Sequence, residues 1–391
     1  MDRKKPDYIV YIHRIYSDKR VKKGGLDIVF DYLISKGKKI LLIEFPLYYK
    51  SYNRVIIRYI DKKEEKVLRD IATASPVEIV CWPLEFFISL YYTFKYKALG
   101  KVVISADPLT SFPAVVLRKL NFFKFHYYHS VDYSTNRFSS KLINTVYSKM
   151  LVFAVRSADL VGAVSPPMKK ELEKMGAKQT FLLPNSVDYN EFEKYRVPTK
   201  KRKKHSLVAT CAGVTNKLFM IFDFIRLVNK LKKTVPDISL DIIGPHDPED
   251  KQFKEMAEYI SKNKLDKNIK FHGLVPKTKN LEIISKCMLG LAFHNKEISH
   301  VEFADSLKIR EYAALGLPII ANDATYTSHE MRKEKAGILI SNATKANKVI
   351  EELFEDKKRY SEMSKSALEW SKKMDKKAIV DTLFSKYFLD M

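Results

Sequence analysis

Short apolar runs rich in β-branched residues alternate along this chain with longer amphipathic stretches. The runs at 8–12 (YIVYI), 40–45 (ILLIEF), 77–82 (VEIVCW), 101–105, 123–129, 159–165 and 181–184 each read as a strand. Strands separated by helix-length segments predict parallel pairing through crossover helices, hence a doubly wound α/β sheet of Rossmann-like character. The pattern lapses after Val187-Asp188 and restarts with strand-like runs at 206–213, 238–245, 269–275, 289–294 and 317–323. A second sheet of the same kind is therefore expected. From about residue 345 the pattern is almost continuously helical.

The expected organisation is an N-terminal domain over 1–190, a linker over 191–205, a C-terminal domain over 206–368 and a terminal helix, 369–391, that returns to the first domain. The block KKRKKH at 200–205 reads as a solvated charge run within the linker. A length of 391 residues, 46% of them hydrophobic, suits two α/β domains. No repeat of 20–50 residues is present, which argues against solenoids and propellers. Cys81, Cys211 and Cys287 lie far apart in apolar runs, without metal or redox spacing, and are expected to be core residues in a reducing compartment.

Charge changes the picture in one respect. The formal net charge is +24, and residues 1–200 hold 35 Lys and Arg against 20 Asp and Glu. A basic excess of this size suits nucleic acid, anionic membrane or phosphorylated substrates. No zinc-finger spacing, aromatic RNP-like strand or basic-leucine heptad accompanies it, so nucleic acid is not the expected partner. No apolar run approaches the roughly 18–20 residues that span a bilayer, and MDRKKPDYIV leads into a strand-like run rather than a signal peptide. A cytoplasmic protein is expected.

Candidate chemistry concentrates in 303–323, FADSLKIREYAALGLPIIAND. Ser306 suits the N-cap of a helix opening at Leu307, Gly316 suits the left-handed residue after its last turn, and Pro318 stops it. The N-terminus of such a helix attracts anions, and Lys308 adds a full charge there. Lys308 and Glu311 share one face. They could form a surface ion pair worth a few tenths of a kcal/mol. Their position beyond the strand at 289–294, at the edge where open α/β sheets bind ligands, favours instead a phosphate at Lys308 and sugar hydroxyls at Glu311. In HYYHSVDYS (126–134), which follows a strand expected to end at the ligand edge, His126, His129 and Asp132 are all candidate proton acceptors or orienting groups. Glu85, Ser89, Thr93 and Lys97 form a narrow polar stripe on a predicted helix at 84–97 that is otherwise apolar. That helix either packs on the sheet or lies partly on a membrane, with Lys95, Lys97 and Lys101 at the headgroups.

The segment SLKIREYAALGLPIIA resembles the donor-nucleotide motif of the GT-B glycosyltransferases of the GT4 type, the glycosyl transferases group 1 family. Further similar stretches follow in the family's order: KKGGLDIVFDYL, ADLVGAVSPPMKKELEKMGAKQTFLLPNSVD, CAGVTNKLFMIFDFI, DIIGP and FHGLVPKTKNLEIISKCMLGLAF. The resemblance implies two Rossmann-like doubly wound domains facing across a cleft. It implies that Lys308 with the backbone near Ser306 and Leu307 holds a donor diphosphate and that Glu311 holds the ribose. Gly24, Gly25, Gly213 and Lys217 complete the implied donor site, and Asp132 aligns with the acidic residue of the acceptor segment. Val214 stands where many relatives carry arginine, and Phe303 where the first glutamate of an E-x7-E pair is usual, with Glu302 beside it. No D-x-D occurs, so no metal or other cofactor is expected. The expected activity is transfer of a sugar, with retention, from a nucleotide-sugar to a glycan or lipid-linked glycan, with peripheral association to an anionic membrane. The competing readings are an epimerase of the same architecture and a non-catalytic basic protein binding anionic lipid or nucleic acid.

Overall fold

The structure, a computed structural model, describes residues 5–388 apart from 15, 18–19, 22–25, 48, 50–51, 63, 74–77, 135–136, 139, 299 and 342–344. The chain forms two compact units, Met1–Pro184 with Ile379–Met391, and Asn185–Ala378. The crossings thus fall at 184/185 and 378/379 rather than at the ends of the expected 191–205 linker and at 368/369.

Among the described residues the first unit has ten strands: β1 Tyr8–Arg14, β2 Tyr16–Ser17, β3 Arg20–Val21, β4 Ile40–Pro46, β5 Arg54–Asp61, β6 Glu64–Ala72, β7 Val102–Ser105, β8 Phe125–Ser130, β9 Leu160–Ala163 and β10 Thr180–Leu182. Eight of them make one sheet in the order β10-β9-β8-β7-β1-β4-β5-β6, and β2 pairs with β3. Pairing is parallel from β10 to β4 and antiparallel for β5 and β6. The central strand β1 is apolar on both faces because both are covered. Tyr8, Val10 and Ile12 pack with helix Asp27–Ser35 and the terminal residues Val380, Leu383 and Phe384, while Ile9 and Tyr11 pack with Ile88, Tyr92 and Leu117. A strand buried on both faces reads as a continuous apolar run, as YIVYI does.

Two departures from the expected elements stand out. The run at 77–82 enters the helix Glu78–Lys95 instead of a strand, its apolar residues continuing without a break into a helical period. Between β4 and that helix lies the hairpin β5–β6. Its outer strand β6 is mostly exposed and carries Glu64, Glu65, Lys66, Arg69 and Asp70, charges that discourage edge-to-edge pairing.

The second unit contains β11 Ser206–Thr210, β12 Ser239–Ile243, β13 Ile269–Phe271, β14 Leu289–Ala292, β15 Ile319–Ala321 and β16 Gly337–Leu339. They form one parallel sheet in the order β13-β12-β11-β14-β15-β16. The basic block at 200–205 is part of this unit, not a free linker. Arg202 is buried, and its guanidinium donates to the carbonyls of Leu315 and Gly316 and to the Tyr360 hydroxyl at 2.8–3.0 Å. The C-terminal region is three helices, Ala346–Glu355, Lys357–Lys373 and Lys376–Tyr387, and the first two stay with the second unit. The three cysteines are free and buried.

Candidate functional site

The switch point of the second sheet lies between β11 and β14, which leave the strand order in opposite directions; ligands of open α/β folds bind beyond such a point. The helix Leu307–Ala314 begins there. It is seated by Tyr312, whose hydroxyl accepts from the Thr210 amide at 2.8 Å and whose ring lies where a side chain at Gly290 would sit. Its first-turn amides have no partner within the helix. Ser306 stands at the N-cap, but its hydroxyl makes no capping bond; Oγ is buried and has no hydrogen-bond partner among the described residues. The Ser306 amide donates instead to Thr327 Oγ1 at 2.7 Å.

That amide contact is part of a buried polar frame. Thr327 donates to Asp305 Oδ1 at 2.6 Å, and Arg310 binds the same oxygen and Glu330. Asn185, from the PNSVD segment, donates to the Asp305 carbonyl at 2.8 Å. The frame fixes the backbone just before the helix.

Lys308 and Glu311 do not form the surface pair that their spacing allows. Among the described residues neither side chain has an ion pair or hydrogen bond, and both are half-buried. The Lys308 ammonium lies 4.6 Å from the centre of the Phe219 ring. Burial lowers its pKa against the opposing pull of Glu311. Burial likewise raises the pKa of Glu311, while Lys308 and Lys277 pull it down. Each group is thus held partly dehydrated and short of a counterion, the state that a charged or hydroxyl-rich ligand would relieve.

Gly213 lies in the loop after β11, and a side chain there would meet nothing closer than Asn216 Cβ at 3.6 Å. The loop could therefore admit a larger residue. Lys217 is exposed and opens the turn Lys217–Phe219 that carries the ring beneath Lys308. This turn ends at Met220, held at φ 31° and ψ 38°, a left-handed conformation costly for a side chain of that size. Glu302, beside the position of the usual glutamate, is exposed on the turn Val301–Phe303. Gly24 and Gly25 lie outside the described residues.

Sequence reasoning missed His294, two residues past β14. It is buried, its Nδ1 lacks a partner, and burial together with Lys308 lowers its pKa to about 4. It sits 5.8 Å from Phe219, ring to ring, and its amide is held by Asn322. The signal was its place at the carboxyl end of the strand-like run at 289–294.

In the first unit, Asp132 and His129 are not brought together. His129 is fully buried on β8, bonded through Nδ1 to the Tyr127 hydroxyl at 3.0 Å, with its pKa lowered to about 4 by burial. Gly162 makes room for both, since a Cβ there would lie 2.6 Å from His129 Nδ1. His126 is also buried and bonds Ser105. Asp132 stands exposed in the loop past the strand and pairs with Arg137. The geometry thus favours Asp132 over His129 as a group that meets a substrate.

A buried charge network at the carboxyl end of β1 was also missed. His13 bonds Asp107 through Nδ1 at 2.8 Å and Glu85 through Nε2 at 3.2 Å. Burial opposes its charge, but the two carboxylates prevail and raise its pKa to about 10. Asp107 also caps helix Pro108–Lys119, accepting from Leu109 and Thr110. Arg14, next along, binds Asp27 through both terminal nitrogens and Glu44 through Nε. The sequence offered a clue in His-Arg placed directly after an all-apolar strand.

A mixed sheet in the first unit and a parallel one in the second, each with crossover helices, give the two-unit α/β architecture of the GT-B fold. Residues 192–370, nearly all of the second unit, match the family described as glycosyl transferases group 1. Solved structures agree in fold. Sucrose-phosphate synthase from Thermosynechococcus elongatus is similar at a TM-score of 0.71 and 16% identity over 98% of both chains. HepE of Anabaena in complex with UDP-glucose gives 0.71 and 14%, over 98% of this chain and 100% of that one. The α,α-trehalose 6-phosphate synthase of Burkholderia multivorans gives 0.66 and 11% over 98% of both. No curated protein sequence matches the chain.

Proposed function

We propose that this protein transfers a sugar from a nucleotide-sugar to a hydroxyl of a glycan or lipid-linked glycan. Lys308 and the first-turn amides would hold the diphosphate, and Glu311 the ribose. The observation that carries this reading is the unpaired, half-buried Lys308 and Glu311 on one face of a helix whose N-cap hydroxyl is itself without a partner. Uridine is the first base to test, because HepE is similar in fold and was solved with UDP and UDP-glucose.

In the transfer, the bond between the anomeric carbon and the β-phosphate oxygen breaks, its electron pair leaving with the nucleoside diphosphate. Lys308 and the helix N-terminus are proposed to stabilise the charge that develops there, the part a metal has in other designs, and the reaction is proposed to be metal-independent. The acceptor oxygen bonds to the anomeric carbon, and its proton passes to the departing diphosphate oxygen. The proposed stereochemistry is retention. Asp132 is proposed to orient the acceptor, and Gly213, Lys217, Ser306 and Leu307 to line the donor. The proposed setting is the cytoplasmic face of a membrane, which suits a basic first unit and a lipid-linked acceptor.

The test is thermal stability against UDP, GDP, ADP, dTDP and CMP, with and without Mg²⁺, on wild type and Glu311→Ala. A selective rise for one nucleotide, independent of Mg²⁺ and lost in the variant, supports the reading. No rise for any nucleotide would leave the basic binding protein as the better account. Consumption of the nucleotide-sugar without acceptor, giving an isomeric sugar, would turn the assignment to the epimerase.

A further inference from the structure

The helix Glu78–Lys95 is amphipathic in the wrong sense for a helix that merely covers a sheet. Its polar residues Glu85, Ser89 and Thr93 are buried. Each of the two end members has an inward partner: Tyr49 and His13 bond Glu85, and Tyr11 bonds Thr93 at 2.5 Å. Val80, Leu84, Phe87, Tyr91 and Phe94, spaced by four and three residues, point outward instead; Phe87 is 63% and Tyr91 56% exposed. Such a stripe is costly to leave in water, and it lies on one continuous surface with the next two helices. Phe86 meets Phe112 of helix Pro108–Lys119 at 5.4 Å, and Phe112 meets Phe153 of helix Lys141–Ser157 at 5.9 Å. On that third helix Leu142 and Val146 are exposed one turn apart, Leu142 at 74%.

The same helices carry cations at the border of the apolar area. Lys95 lies over Tyr91, and Lys119 over Phe153 at 4.6 Å. Between the ends of the second and third helices is an open hollow of about 610 Å³ lined by Arg118, Lys119, Lys149, Arg156 and Lys178. Asp159 is the acid among its lining residues, and it is taken by Arg118 at 2.8 Å. Lys149 and Lys178 have no acidic partner among the described residues. No helix among the described residues is long and apolar enough to cross a membrane. Aromatic side chains along a helix face, bordered by unneutralised lysines, match the interfacial layer of a bilayer, where rings sit at the level of the acyl boundary and cations meet phosphate.

We propose that the outward face of helices Glu78–Lys95, Pro108–Lys119 and Lys141–Ser157 is the surface by which this protein docks on an anionic phospholipid bilayer, with the basic hollow receiving headgroup phosphate. This rests on the membrane-associated setting proposed above and names the surface responsible. The polar stripe then has its reason. Glu85 and Thr93 anchor the helix inward by hydrogen bonds, with Ser89 buried between them, which frees its apolar face for lipid.

The experiment is co-sedimentation of the full chain with phosphatidylcholine vesicles, with and without phosphatidylglycerol, at low and high salt. Wild type is expected to bind the anionic vesicles at least tenfold more tightly than the neutral ones, with the difference narrowing in high salt. The pair Phe87→Ser with Tyr91→Ser should weaken binding to anionic vesicles at least tenfold. Lys149→Glu with Lys178→Glu should abolish the preference for phosphatidylglycerol. The substituted side chains are on the surface, so unchanged melting temperature and unchanged UDP-induced stabilisation are required of both double variants. The UDP readout reports on the second unit alone, and its loss in wild type would speak against the donor site while leaving the vesicle result to stand. Failure of wild type to sediment with anionic vesicles, or sedimentation untouched by either pair, overturns the proposal. So does a concentration-dependent dimer that dissociates on Phe87→Ser with Tyr91→Ser, which would assign the face to a second copy of this chain.

Discussion

Replacing Lys308 by methionine should separate stability from ligand binding. In the free protein the ammonium is half-buried without a counterion and rests on the Phe219 ring. Losing the ring contact costs about 0.5–1 kcal/mol. Relief of the desolvation that lowers its pKa acts in the opposite direction. The two effects leave the ligand-free stability within about 1 kcal/mol of wild type. With a nucleoside diphosphate bound, the variant lacks a charge-assisted hydrogen bond of about 1.5–3 kcal/mol, so affinity should fall about 10- to 150-fold. At a UDP concentration a hundredfold above the wild-type Kd, wild type gains about 2.7 kcal/mol; a variant binding fiftyfold more weakly gains about 0.6 kcal/mol at the same concentration. For a unit of this size that is a melting shift of roughly 5–10 °C reduced to about 1–3 °C. Differential scanning fluorimetry and titration calorimetry read the two quantities separately. A variant that is destabilised by more than about 2 kcal/mol yet binds UDP like wild type would refute the reasoning, since Lys308 would then be a structural cation.

Further outcomes follow from the same sites. Glu311→Gln should stabilise the ligand-free protein at neutral pH. The raised carboxyl pKa means that stability is fullest below the ordinary value of 4.5 and declines as pH rises, so the advantage of the variant should vanish in acid melts. The same variant should weaken binding of UDP but not of inorganic pyrophosphate, as calorimetry with the two ligands will show. His13, raised from 6.5 to about 10, contributes stability that is complete below pH 6.5 and is lost as pH climbs through 10. His13→Gln should flatten that dependence in denaturant titrations and cost roughly 3–5 kcal/mol at pH 7, because two buried carboxylates lose their shared partner. Gly162→Ala places a Cβ 2.2 Å from the Tyr127 hydroxyl. It should lower the stability of the first unit by about 1–3 kcal/mol or more in urea titration, with UDP-induced stabilisation of the second unit preserved.

The central parallel strands were legible because a strand covered on both faces is apolar over most of its length, as the runs YIVYI in β1, ILLI in β4, VVI in β7 and LVA in β11 are. The hairpin β5–β6 was not, since its outer strand follows solvent and charge rather than a core period. The run at 77–82 misled for the opposite reason: an apolar helix that turns hydrophobic residues outward has no clean 3.6-residue contrast at its start. At the site, the short range from Ser306 to Glu311 was readable because cap, cation and carboxylate lie within one turn or two. Arg202 was hidden in a basic block, where nothing in the identity of its neighbours tells which guanidinium reaches a carbonyl. His13, Asp107 and Glu85 meet only through the sheet, across up to 94 residues of chain.

The position of the last helix has a consequence for synthesis. Val380, Leu383, Phe384 and Phe388 fill the core beneath β1 and helix Asp27–Ser35, in a unit whose other residues end at Pro184. The second unit, by contrast, is one uninterrupted stretch, Asn185–Ala378. On the ribosome the usual order of maturation is therefore reversed: the domain made first must wait with an open hydrophobic floor until the domain made second has emerged. Proteolysis of stalled nascent chains should find the second unit resistant while the first is still cut, and a chain cut just before Ile379 should lose the fold of the first unit while keeping the second.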